Sequence, residues 1–201
     1  MSEKTHIFII TIQWFLFLSI VAFSFPSKAA DVAVDAHIRF KSAIAAVTVS
    51  DMNFGDILYE ASHTGSIELG TNGNVQINGG SIGLSADGGS SAAGEVAISG
   101  DAASIVEISC ENSGVLASSS GDTLSLQNIE LAVNAGQNFG SGIACAGLAS
   151  SVQTIDFGAT PTPTLLFGGS VNVASNAITQ NTSFSTMNGG GDPVTVRVVY
   201  Q

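Results

Sequence analysis

Positive charge is almost missing from this sequence, and its scarcity excludes several functions. Lysine and arginine together number five, against sixteen acidic residues, so the formal net charge is −11. The chain has too few cations to neutralise a phosphate backbone, which argues against a nucleic-acid-binding protein. The same shortage argues against attachment to an anionic lipid surface through a basic patch. We therefore expect no nucleic acid among its partners.

Residues that carry catalytic chemistry are also scarce. The segment Gly79–Gly83 fits the G-x-S-x-G nucleophile motif, but that motif needs a histidine later in the chain, and the last one is His63. No lysine follows Lys41, so a phosphate-binding P-loop is excluded. The acidic residues are scattered and form no calcium-loop pattern. We expect no enzyme activity, no cofactor and no metal, and we interpret Gly79–Gly83 as a glycine-rich turn.

The N-terminus carries an export signal. An apolar run covers Ile7–Phe25, Pro26 ends it, and Ser27-Lys28-Ala29 places small residues at a cleavage site. This pattern predicts a secretory signal peptide over residues 1–29. A membrane anchor is the alternative, but no basic cluster follows the run. We expect export to the periplasm, then to the cell surface or the medium, with no membrane span in the mature chain.

The remaining chain has the pattern of short strands separated by turns. Apolar and polar residues alternate in Val32–Lys41, and further strand candidates are Ala46–Ile57, Ser66–Leu69, Asn74–Ile77, Glu95–Ser99, Ile105–Cys110, Thr123–Val133, Val152–Phe157, Leu165–Ala174 and Val194–Tyr200. Glycine, which numbers 23 residues, and asparagine separate them. This spacing predicts an all-β fold, a β-sandwich. A right-handed β-helix is the alternative, because Ser66–Ser85 is rich in glycine and asparagine.

One long candidate strand changes its inward face partway along. Leu124 and Leu126 occupy even positions, whereas Ile129 and Leu131 occupy odd ones. A β-bulge inserts one residue and produces such a switch, so the pattern predicts a bulge at Gln127-Asn128. Two strands joined by a kink are the alternative.

The chain contains two cysteines, Cys110 and Cys145, and both lie beyond the predicted signal peptide. An even count in an exported chain predicts a disulfide. Cys110 shares its parity with Val106 and Ile108, so we expect it to face the core. Two buried free thiols are the alternative.

Several segments resemble, in order, a known family. They are VTVSDMNFGDI at 47–57, GEVAISG at 94–100, GGSVNVA at 168–174 and the terminal strand at 194–200. The chain resembles domain-of-unknown-function family 4402, a secreted, pilin-like proteobacterial family whose members resemble chaperone–usher pilus subunits. The resemblance implies an immunoglobulin-like pilin, an incomplete sandwich whose groove is filled by a strand from the next subunit. It also implies a periplasmic chaperone and an outer-membrane usher as partners.

A candidate for the donated strand precedes the domain. We divide the mature chain into an N-terminal extension at 30–45 and a β-sandwich domain at 46–201. The extension carries a row of apolar residues at every second position, namely Val32, Val34, Ala36, Ile38 and Phe40. We interpret them as the apolar face of a donor strand. An ordinary first strand of the same domain is the alternative.

These observations predict a structural subunit of a surface fimbria or pilus-like assembly. Its partners are then other copies of itself or related subunits. The alternative function is a self-contained secreted adhesin or binding module with a complete sandwich.

Overall fold

The structure, a computed structural model, describes residues 38, 42–59, 64–78, 84–86, 90–160, 162–174 and 182–201. The chain divides into two units, Met1–Arg39 and Phe40–Gln201, and of the first unit only Ile38 is described. The predicted signal peptide and four predicted donor residues (Val32, Val34, Ala36 and Phe40) lie outside the described residues. The same holds for His63 and for the Gly79–Gly83 segment.

The described part of the chain is all β and contains no helix. Its strands, in chain order, are β1 (Ala45–Ser50), β2 (Ile57–Tyr59), β3 (Gly65–Leu69), β4 (Val75–Asn78), β5 (Leu84–Ala86), β6 (Gly94–Ser99), β7 (Ile105–Cys110), β8 (Ser113–Ser118), β9 (Thr123–Val133), β10 (Ile143–Ala144), β11 (Gln153–Asp156), β12 (Thr164–Val173), β13 (Phe184–Ser185) and β14 (Val196–Tyr200). All strand pairs among these residues are antiparallel. The all-β prediction is confirmed, and the antiparallel pairing contradicts the alternative of a parallel β-helix.

Most strands belong to one large sheet. Its main path runs β1-β6-β12-β9-β8-β13, with β10 beside β9, β3 beside β12, and β4 beyond β3. A small sheet has the order β11-β7-β14, and β2 pairs with β5 separately. Two antiparallel sheets with apolar inner faces are consistent with a β-sandwich.

The core is built from the alternating apolar positions of both sheets. On the small sheet, Val106, Ile108 and Cys110 of β7 are fully buried, as their shared parity predicts. On the large sheet, the corresponding residues include Leu131 of β9 and Leu165 of β12, also fully buried. All five belong to one hydrophobic cluster.

The predicted bulge is present in β9. Glu130 pairs with Gly168 and Gln127 pairs with Ser170, so two residues of β9 face one residue of β12. Asn128 adopts a φ of 50°, a left-handed conformation that asparagine tolerates better than most residues. A Cβ on the facing residue, Gly169, would lie 2.8 Å from Ile129 Cδ1, so a larger residue there would displace the Ile129 side chain.

One strand predicted from the sequence has the wrong bounds, and strands β5, β8, β10 and β13 were not predicted. The predicted strand Ala46–Ile57 ends at Ser50, because the chain turns at Asn53, whose side chain accepts the N–H of Gly55 at 2.9 Å. Gly55 has a φ of 74°. Strand β8 was not predicted at all; its alternation is weak, and it forms on the edge of β9.

Candidate functional site

Strand β1 is an edge strand that is exposed on both faces. It pairs with β6, and among the described residues no strand pairs with its other edge. Ala46 and Thr48 lie opposite Ile98 and Val96, and paired residues share a face of the sheet. Ile98 and Val96 pack in or against the core, yet Ala46 and Thr48 are exposed. The core is therefore uncovered along β1.

Strand β14 is the corresponding edge of the small sheet. Its residues Val196, Val198 and Tyr200 lie opposite Cys110, Ile108 and Val106 of β7, respectively. The three β7 residues are fully buried, whereas the three β14 residues pack against the core but are only half-buried. The covering of the core thus ends at β14. Within the described chain, the second edge of this strand has no partner strand either.

The two edge strands meet at one end. The hydroxyl of Tyr200, at the end of β14, donates to the carbonyl of Ser42, just before β1, at 2.7 Å. The same oxygen accepts the N–H of Asp101 at 2.8 Å. We call the unpaired edges of β1 and β14 the open seam. Such edges carry free N–H and C=O groups that a further strand can pair with.

The two cysteines link the two sheets elsewhere in the domain. Cys110 ends β7 of the small sheet, and Cys145 follows β10 and donates its N–H to Ile129 of β9 at 2.8 Å. The two Sγ atoms lie 1.97 Å apart, at bonding distance. The structure therefore brings together the pair that the cysteine count predicts. Both residues are buried, at 0% and 6% exposure.

Only one of the predicted donor residues is described. Ile38 is 79% exposed, which is high for a large apolar residue.

A buried carboxylate was missed by the sequence analysis. Glu130 follows the bulge in β9 and is 4% exposed. Its Oε2 accepts the N–H groups of Gly140 at 2.9 Å and of Gly142 at 3.2 Å, whereas its Oε1 is buried without a hydrogen-bond partner in the described chain. Glu130 lies between Ile129 and Leu131, which face the core. The alternation along the strand therefore predicts that the Glu130 side chain points to solvent. The glycine-rich loop that covers it was the only available signal.

Burial raises the pKa of Glu130 above its usual value. The hydrogen bonds from Gly140 and Gly142 lower this pKa, and the charge of Glu68 raises it further. Glu68 is the ionisable neighbour, since β10, β12 and the loop at 134–142 contain no acidic or basic residue.

We expect the free energy of unfolding to depend on pH through Glu130. A pKa that is raised on folding gives a stability contribution that is present at low pH and is lost as the pH rises through the folded-state value. Above the usual glutamate pKa, the unfolding free energy of the wild type should decrease as the pH rises. Glu130→Gln should make this decrease less steep, by up to the slope that corresponds to one bound proton. Urea unfolding at a series of pH values measures this slope. The control is Glu107→Gln on the small sheet, and an unchanged slope in Glu130→Gln would contradict the prediction.

Among the described residues, no group of three or more His, Cys, Asp or Glu side chains is placed to hold a metal ion. The same residues contain no helix long and apolar enough to cross a membrane.

Comparison with known proteins gives one match. The model of a family described as a domain of unknown function, DUF4402, matches residues 44–183. Comparisons with curated proteins and with solved structures found no match. The matched region contains β1 to β12, and thus the cysteine pair and the β1 side of the open seam. Because the match covers well over half of the chain, this protein belongs to the DUF4402 family.

Proposed function

We propose that this protein is an exported structural subunit of a surface fimbria or pilus-like assembly. In this proposal, the N-terminal extension of one copy adds as a strand to the open seam of the next copy. The observation that carries the proposal is the set of half-buried apolar side chains at the seam, Val96, Val196, Val198 and Tyr200, which pack against the core and still face solvent.

An added strand would stabilise the open seam in two ways. Its backbone would pair with the free edges of β1 and β14, and alternate side chains would cover the exposed part of the core. The apolar row from Val32 to Phe40 has this spacing of two residues. Arg39 and Lys41 lie at one end of the extension at 30–45, and Asp31 and Asp35 balance them, so the extension has no net charge. The match between the extension and the seam therefore rests on its apolar row.

The open seam also bears on partners and location. An unpaired, partly apolar edge is prone to aggregation until it is covered. A periplasmic chaperone that supplies a temporary strand, and an outer-membrane usher, therefore fit the proposal, together with final placement at the cell surface. The function proposed here is structural and not enzymatic.

The second candidate is a self-contained secreted adhesin or binding module. In that case, residues 32–40 would cover the seam of their own domain.

Size-exclusion chromatography with light scattering tests the proposal on the mature chain, residues 30–201, purified from the periplasm. We expect oligomers that grow with concentration, and we expect an added synthetic peptide of residues 30–41 to bind and to shorten them. A peptide with the same composition in scrambled order is the control. If the protein is monomeric at every concentration and does not bind the native peptide, the assembly proposal is wrong and the self-contained module is favoured.

A further inference from the structure

A polar pocket lies on the face of the large sheet that points away from the core. Its floor contains Leu166 of β12 and Glu95 of β6, which are paired in register. Leu165 and Phe167, on either side of Leu166, are buried in the core cluster, so Leu166 faces the opposite way. The pocket is open to solvent on one side, and its volume is about 580 Å³.

The walls of this outer pocket are held in place by hydrogen bonds between distant segments. The Asn72 N–H donates to the Gln137 carbonyl at 3.1 Å, and the Gln137 N–H donates to Thr71 Oγ1 at 2.8 Å. On the other side, Ser91 Oγ donates to the Gly73 carbonyl at 2.7 Å. Gly136 fits so closely that a Cβ there would lie 2.4 Å from the Thr71 carbonyl oxygen. A pre-formed pocket of this kind loses little entropy when a ligand binds.

Two polar side chains in the pocket are not used by the fold. Glu95 and Asn74 line the cavity, and neither side chain has a hydrogen-bond partner among the described residues. They contrast with Thr71, Asn72 and Ser91, whose side chains are engaged in the walls. The pocket thus offers a carboxylate that accepts hydrogen bonds and an amide that both donates and accepts them.

We propose that the outer pocket binds a neutral sugar ring. A sugar has hydroxyl groups on its rim and an apolar C–H face, and the pocket presents Glu95 and Asn74 beside the apolar side chains of Leu166, Ala92 and Ala93. Among the described residues that line the pocket there is no lysine, arginine or histidine, which disfavours an anionic ligand. The pocket shares Ser50, the last residue of β1, with the open seam, but it lies on the outer face of the sheet, so this inference does not rest on the proposed assembly.

Saturation-transfer NMR on the mature chain, with glucose, galactose, mannose and N-acetylglucosamine as separate probes, tests the inference. The method tolerates large assemblies, so it works whether or not the protein polymerises. We expect at least one sugar to bind, with the strongest saturation on its C–H face beside Leu166. Glu95→Gln and Asn74→Ala should each weaken binding by about tenfold, the typical effect of losing one good hydrogen bond.

The matched control is Glu107→Gln, which removes a carboxylate from the small sheet and should bind as the wild type does. Thermal melting of each variant shows whether it is folded. The inference is overturned if none of the four sugars binds, or if a folded Glu95→Gln binds as tightly as the wild type. Binding of ethanolamine in place of the sugars would also overturn it and would indicate a cation site at Glu95.

Discussion

Replacing Ile38 with aspartate should abolish assembly and leave the melting temperature of the isolated subunit unchanged. In the proposed polymer, Ile38 enters the open seam of a neighbour, where an aspartate would be buried without a charged partner. Such a charge costs several kcal/mol even after relaxation. Since about 1.4 kcal/mol corresponds to a factor of ten, we expect the association constant to fall at least a hundredfold. The fold of the isolated subunit should be unaffected, because in this proposal Ile38 packs into a neighbour and not into its own domain.

His37→Asp is the matched control for this experiment. It introduces the same carboxylate one residue earlier, on the opposite face of a strand, where it should remain in solvent. Polymer yield and thermal melting are measured on the wild type and both variants. If Ile38→Asp lowers the melting temperature of a wild-type-like monomer, the strand belongs to its own domain and the donor hypothesis is wrong. Equal loss of assembly in both variants would show that added charge, and not burial at position 38, is responsible.

Removing the link between Cys110 and Cys145 should destabilise the domain by about 3–4 kcal/mol in the chain-entropy model. The two cysteines are separated by 35 positions, so the link closes a long loop and restricts the unfolded chain. It also joins the small sheet to β9 of the large sheet, because Cys145 is hydrogen-bonded to Ile129. The double variant Cys110→Ala/Cys145→Ala avoids placing hydroxyl groups in the buried site.

Chemical denaturation of the oxidised protein, the reduced protein and the double variant measures this effect. Reduction leaves the sequence unchanged, so the reduced wild type is the control for the lost side-chain volume in the double variant. Mass spectrometry of unreduced peptides should show the cross-link directly. The prediction is contradicted if both thiols can be labelled in protein purified from the periplasm. It is also contradicted if reduction leaves the denaturant concentration at the unfolding midpoint unchanged.

Much of the strand pattern was predictable because burial repeats every second residue along a strand. Strands β7 and β9 have the predicted bounds, and the bulge at Gln127-Asn128 was visible as a change of parity. The inward orientation of Cys110 followed from the same rule. Each of these features depends on residues close together in the chain, and a two-residue period records which face of a strand meets the core.

By itself, the sequence determined the all-β class, most strand positions and the cysteine pair, because local periodicity and composition specify them. The tertiary structure alone decided which strand edges have no partner strand among the described residues, since β1 and β14 have ordinary strand patterns and differ from β7 in their neighbours. It also decided the burial of Glu130, whose position in the pattern is typical of an exposed residue. The outer pocket has the same origin, because contacts between segments more than sixty residues apart, such as Thr71 and Gln137, build its walls. The alternation of apolar and polar residues shows which face of a strand is buried. Which strand edges are paired, which side chains a loop covers and where a pocket forms depend on contacts between segments that are distant in the chain.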